Sequence, residues 1–213
     1  MDAGPRIDSY QWSGGREPML RFGPQDGPVV ALALPLFEEA NRTRAFGVSI
    51  LRALAAARVG GLLPELPGQG ESERPTADLR LTELRAALAA VPASHLVTIR
   101  SGALLAAETK PCWHLSPQSG PDLLRELSRI NGSRSADGIN LIAGNAVPGA
   151  LLTDLASAHS PAGRVVRLTG DTGPADLRTE APPLWRRAEP DNNVSLAQLL
   201  AADITDWLRT CAG

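Results

Sequence analysis

TIRSGALLA, residues 98–106, is the point where an apolar run of strand type gives way to an alanine- and leucine-rich run of helix type. HLVTIR (95–100) reads as a buried strand and SGALLAAE (101–108) as a helix, so the chain has to bend sharply near Arg100. A guanidinium stays protonated and attacks nothing. An arginine at such a bend therefore binds or pairs, and does no covalent chemistry of its own.

The same change of pattern repeats along the chain. GPVVALALPL (27–36) is a continuous apolar run, as expected for a strand covered on both faces. Asn41 is the expected N-cap of a helix over 43–59, which Gly60 and Gly61 would end. GLLPEL (61–66) reads as a short strand, and 78–91 as an amphipathic helix with Leu81, Leu84, Leu88 and Val91 on one side. PCWHLSP (111–117) and RVVRLTG (164–170) read as strands, and LWRR (184–187) as the end of a weaker last one. Helices are expected over 120–130, 148–158 and 195–211, with 131–146 as a connecting loop. Residues 1–27 read as an irregular segment with a possible edge hairpin around MLRFG (19–23). Strands alternating with helices imply an α/β class: a mostly parallel, doubly wound sheet with helices on both faces, in a single domain over 1–213. In such a sheet, sites form at the carboxyl ends of the strands.

Composition narrows the function classes. Net charge is −2 with mixed signs, so no basic stripe points to nucleic acid. No apolar run is long enough to cross a bilayer, and MDAGPRIDSY lacks the order of a secretory signal, so the expected location is the cytoplasm. The two cysteines, Cys112 and Cys211, make no disulfide framework, and the three histidines, His95, His114 and His159, form no metal-ligand spacing. Neither a metal nor a cofactor is expected.

Two motifs place the chain more narrowly. ELPGQGES (65–72) puts an acidic residue and then Gly-x-Gly-x-Ser directly after a strand, which resembles a turn of the α/β hydrolases. LPLFEEANRTRA (34–45) is similar to the P-P-F-x-E-E-x-N-x-x-R-R signature of the exosortase A system-associated hydrolases of bacteria. IRSGALLAAE (99–108) resembles the L-R-x-G-A-L-L-A-A stretch of their second subgroup, and GNAVPGALLTDL (144–155) and PPLWRRAEPDN (182–192) resemble further segments. The chain departs in Leu36, where a second proline is expected, in Asn145, where an aromatic is common, and in having little room for a cap domain. The resemblance implies an α/β-hydrolase fold, working beside exopolysaccharide production and protein sorting; the chain's own length leaves no room for a substantial cap.

A serine hydrolase of this kind needs a nucleophile at the bend, then an acid, then a histidine. Aligning the last glycine of G-x-S-x-G with Gly102 puts Arg100 at the nucleophile and Ser101 one residue late, as an expected helix cap. The acid's place falls on Gly173, flanked by Asp171 and Asp176, and the loop 179–194 before the last helix holds no histidine. All three places are thus expected to be vacant. The preferred reading is a degenerate member, non-catalytic or weakly catalytic, that binds a small anionic ligand or a partner in the former catalytic pocket, the partner being a protein of the same system or a second copy of the chain in a homo-oligomer. Its candidate ligand-binding residues are Arg100, Ser101, Phe37, Glu38, Glu39 and Asn41, with Phe37 and Ser101 at oxyanion-hole positions by resemblance. The expected ion-pair partners of Arg100 are Glu38, Glu39, Glu65, Glu71 and Glu189. The alternative is an ester or thioester hydrolase acting on an acyl substrate through Ser101 with Asp171.

Overall fold

In the computed structural model, residues 4–129, 133–134, 139–142, 145–187 and 189–211 are described. The chain opens on a hairpin, β1 (Arg6–Trp12) and β2 (Gly15–Phe22), joined through Ser13 and Gly14. The expected edge hairpin is thus present, and it takes up most of the described part of the segment read as irregular. Then follow β3 (Val29–Ala33), α1 (Glu38–Ala56), β4 (Gly60–Pro64), α2 (Leu81–Ala90), β5 (His95–Ile99) and β6 (Cys112–Leu115). The second half holds α3 (Gly120–Ser128), three short strands β7 (Ser133–Arg134), β8 (Ile139–Ile142) and β9 (Asn145–Pro148), α4 (Gly149–Leu155), β10 (Arg164–Leu168), β11 (Leu177–Thr179) and α5 (Val194–Cys211).

Eight strands form one sheet in the order β1-β2-β4-β3-β5-β6-β10-β11. From β4 to β11 every pairing is parallel; β2 runs against them, and β1, antiparallel to β2, runs with them. Alternation along β3 sets the two faces. Val30 and Leu32 pack with Ile50, Leu54, Leu200 and Ile204 of α1 and α5. Ala31 and Ala33 pack on the other face with Leu84, Leu88, Leu123 and Leu151 of α2, α3 and α4. Small alanines in β3 and leucines in the helices let both layers approach closely, so the central strands are buried on both sides.

Five expectations need correction. Asn41 does not cap α1. The helix starts at Glu38, after a turn at Phe37, because Glu38 and Glu39 suit the positive end of the helix dipole. The segment after β5 is a 3-10 helix over Arg100–Leu105, not an α-helix; the chain must reverse into β6 at Cys112, and Pro111 cannot continue a helix. Ser101 lies inside this short helix and caps nothing. LWRR is also not a strand: Leu184–Arg186 is a single 3-10 turn whose Leu184 and Trp185 are buried, and the edge strand is β11 instead. In the stretch expected as loop, β7, β8 and β9 pair antiparallel as a small separate sheet.

Candidate functional site

The bend after β5 is built by three residues in succession. Ile99 is extended, Arg100 sits in the left-handed region at φ 53°, and Ser101 is fully buried. Gly102 lets this turn lie against the end of β3, since a Cβ there would stand 2.6 Å from the carbonyl oxygens of Ala33 and Leu34. The Ser101 hydroxyl accepts the N–H of Leu36 at 2.9 Å, which ties the exit of β3 to the bend. Phe37, just beyond, has φ 62°, and Ser116, at the exit of β6, has φ 45°. Left-handed backbone costs a non-glycine residue about 1–2 kcal/mol. Three of the four such residues among those described therefore lie at adjacent strand exits; the fourth, Arg58, follows α1.

Arg100 extends from the bend into a cluster of charge. Its Nη2 donates to both oxygens of Glu126, at 2.8 and 3.0 Å, while Nε and Nη2 reach Glu39 at 3.4 Å. The guanidinium also lies 5.2 Å from the ring centre of Trp185, a cation–π contact. Burial raises the Glu39 carboxyl above its ordinary value, and the neighbouring Glu126 adds to this; Arg100 opposes both without cancelling them. Of the expected partners only Glu39 pairs with Arg100. Glu38 instead takes Arg42 at 2.6 Å, and buried Glu65 takes Arg44. Glu65 is held under the glycine turn, where a Cβ on Gly70 (φ 53°) would collide with its carboxylate.

The residues of the alternative hydrolase reading do not converge. His114 is buried within β6, between the Thr98 hydroxyl at 2.7 Å and the Pro161 carbonyl at 3.1 Å, and burial lowers its pKa. His95, at the amino end of β5, meets Trp207 edge-on at a centroid distance of 5.4 Å. His159 lines a separate cavity with Arg85 and Glu108, which neither Arg100 nor Ser101 borders. Asp171 accepts Arg167 at 2.6 Å and the Gly173 N–H at 3.3 Å, so it closes its own loop. Burial works against its charge, but these bonds prevail and its pKa is lowered. Asp176 accepts the Val165 N–H at 2.7 Å. Among the described residues no hydrogen bond joins a histidine to Ser101, whose hydroxyl is already engaged.

Beside Arg100, between the exits of β5, β6 and β10, lies a cavity of about 280 Å³. Five arginines line it (Arg100, Arg125, Arg129, Arg167 and Arg186) against three carboxylates, Asp122, Glu126 and Asp171. Arg100, Arg125 and Arg167 have ion-pair partners; Arg129 and Arg186 have none among the described residues. Gln118, on the loop after β6, also lines the cavity. Of the six candidate ligand-binding residues only Arg100 borders this space. Phe37 and Asn41 line a smaller cavity of about 80 Å³ with Gly68 and Gly70. The arginines of α3 were missed in the sequence, although Asp122, Arg125, Glu126 and Arg129 recur at the spacing that puts them on one helix face.

Among the described residues no group of three or more potential ligands gathers as a metal site, and no helix is long and apolar enough to cross a membrane. No family model and no curated protein matches the chain. Solved structures do. The ferulic-acid-bound Est1E of Butyrivibrio proteoclasticus is 13% identical, aligned over 95% of this chain and 98% of that one at a TM-score of 0.59. Epoxide hydrolase A of Mycobacterium thermoresistibile is 16% identical over 96% and 98%, also at 0.59. Of the epoxide hydrolase VrEH1 of Vigna radiata (19% identity, TM-score 0.43) the chain spans only 39%, matching 52% of its own length. The likenesses to Est1E and to epoxide hydrolase A establish the fold: the chain is an α/β-hydrolase-fold protein.

Proposed function

We propose that this protein is a non-catalytic binding member of the α/β-hydrolase fold, which holds a small anionic ligand at the carboxyl end of its sheet. One observation carries the reading. The bend after β5 presents Arg100, at φ 53°, where the fold would present a nucleophile, and its guanidinium is fixed by Glu126, Glu39 and Trp185. Three further placements support it: the buried Ser101 hydroxyl on Leu36, the three histidines placed elsewhere, and Asp171 bound to Arg167. Arginines outnumber acids around the adjoining cavity, so its field favours a negative guest. The resemblance in LPLFEEANRTRA supports service beside bacterial exopolysaccharide assembly and protein sorting, in the cytoplasm, with a protein of that system as a further partner.

The test is a gain of function that should fail. Arg100→Ser puts a hydroxyl at the bend without supplying an imidazole. Neither this variant nor the natural protein is expected to turn over short p-nitrophenyl esters or to be labelled by a fluorophosphonate probe. Ester turnover by the natural protein, abolished in Ser101→Ala, would establish the hydrolase reading instead.

A further inference from the structure

Gln118 is 4% exposed, yet neither its Nε2 nor its Oε1 has a hydrogen-bond partner among the described residues. A buried carboxamide left unpaired on both sides costs the fold free energy, so such groups normally have a partner. Gln118 lines the arginine-bordered cavity. The fold leaves its donor and acceptor unused beside this space, and such an amide pairs well with neighbouring hydroxyls, each of which both donates and accepts.

The same cavity offers charge that the fold does not use. Arg129 and Arg186 are exposed side chains with no ion-pair partner among the described residues, one on the turn after α3 and the other in the 3-10 turn at Leu184–Arg186. Two guanidinium forks suit an anion with paired oxygens, a carboxylate or a phosphate ester. Thr169 and Thr172 add further polar wall. The one large aromatic lining the space, Trp185, is buried and already stacked by Arg100, which leaves no free ring for a flat aromatic guest such as a nucleobase.

Building on the binding reading above, we infer that this cavity takes a small polyhydroxylated anion, a sugar phosphate or a sugar acid. Arg129 and Arg186 hold its charged end, and the Gln118 amide pairs with hydroxyls on its body. Phosphate and carboxylate share this chemistry, and a ligand panel separates them.

The test is titration calorimetry of the full chain with hexose 6-phosphates and hexuronates of the gluco, galacto and manno series, alongside the neutral hexoses and inorganic phosphate. At least one charged hexose should bind tenfold or more tighter than its neutral parent and than inorganic phosphate. Its class, phosphate or uronate, identifies the anion. Arg129→Ala with Arg186→Ala, both exposed and therefore safe for folding, should weaken that ligand at least tenfold. Gln118→Leu should raise the melting temperature of the free protein, by removing the unpaired amide, and should weaken the charged hexose while leaving inorganic phosphate unchanged. Binding by no charged hexose, equal binding of inorganic phosphate, or unchanged affinity in either variant overturns the inference. So does a lowered melting temperature in Gln118→Leu, which would mean that the amide serves the fold through bound water. Ester turnover by the same preparation would remove the non-catalytic reading while leaving the titration to judge the subsite.

Discussion

Two arginine–carboxylate clusters hold opposite ends of the sheet, and they are built differently. At the amino end, Arg164 of β10 grips Asp203 of α5 with both arms, at 2.6 and 2.9 Å, and the indole N–H of Trp113 adds a third bond at 2.8 Å. At the carboxyl end, Arg100 divides itself between Glu126 and Glu39, with its Glu39 contacts at 3.4 Å. The carboxyls respond in opposite directions. Burial pushes Asp203 up, but Arg164 and Trp113 overcome it and hold the group below its ordinary value. Burial pushes Glu39 up and Arg100 does not overcome it. The backbone differs too: Arg164 and Asp203 sit outside the left-handed region, whereas Arg100 sits within it. One cluster is arranged for stability. The other tolerates strain and an incompletely matched acid, the pattern found where a fold keeps a surface for binding.

Removing the acid at the well-matched end should have the largest effect. Asp203→Ala leaves the Arg164 guanidinium and the Trp113 N–H without their acceptor, and the expected loss is about 3 kcal/mol. Urea denaturation with an unchanged slope would measure it. A loss under about 1 kcal/mol, the size of an ordinary surface pair, would break the contrast between the two ends.

Next in size is the strain at the bend. Arg100→Ala and Arg100→Gly remove the same ion pairs, but only glycine is at ease at φ 53°. The glycine variant should therefore be the more stable of the two by about 1 kcal/mol, read as a difference in denaturation midpoint at equal slope. Equal stability, or a more stable alanine variant, would reduce the contrast between the ends to electrostatics alone.

How much of this could be read from residues alone follows from which interactions are local. The apolar runs at 29–33, 60–64 and 95–99 carry their own pattern, and Gly102 after Arg100 marks the bend, so sheet and bend were legible. The partner of Arg100 was not. Glu126 lies 26 residues on, on the polar face of α3, and only the crossover of that helix brings it to the strand exit. Leu184 and Trp185 look like a strand because they are apolar, but a 3-10 turn buries the same side chains, and burial alone does not tell the two apart. Gln118 gives no signal in a sequence at all. Its unpaired amide exists only because the exits of β5, β6 and β10 enclose it.

The smallest effect is a slope in pH, and it tests the mismatched acid directly. The folded protein raises Glu39 above its ordinary value of 4.5, so the folded state binds that proton more tightly than the unfolded chain does. Its contribution to stability is then fully present below pH 4.5 and is lost as pH rises through the elevated folded value. Glu39→Gln keeps the shape and one acceptor oxygen for Arg100 but cannot ionise. Denaturation midpoints measured from pH 4 upward should therefore show the natural protein losing ground to Glu39→Gln as pH rises. Asp203 should behave in the opposite sense: its depressed value supplies stability above its ordinary 3.8 that disappears as pH falls through the folded value. A natural protein that instead gains on Glu39→Gln with rising pH would mean that Arg100 satisfies Glu39 after all. The two clusters would then be equally matched, and the carboxyl end would need no guest to explain its construction.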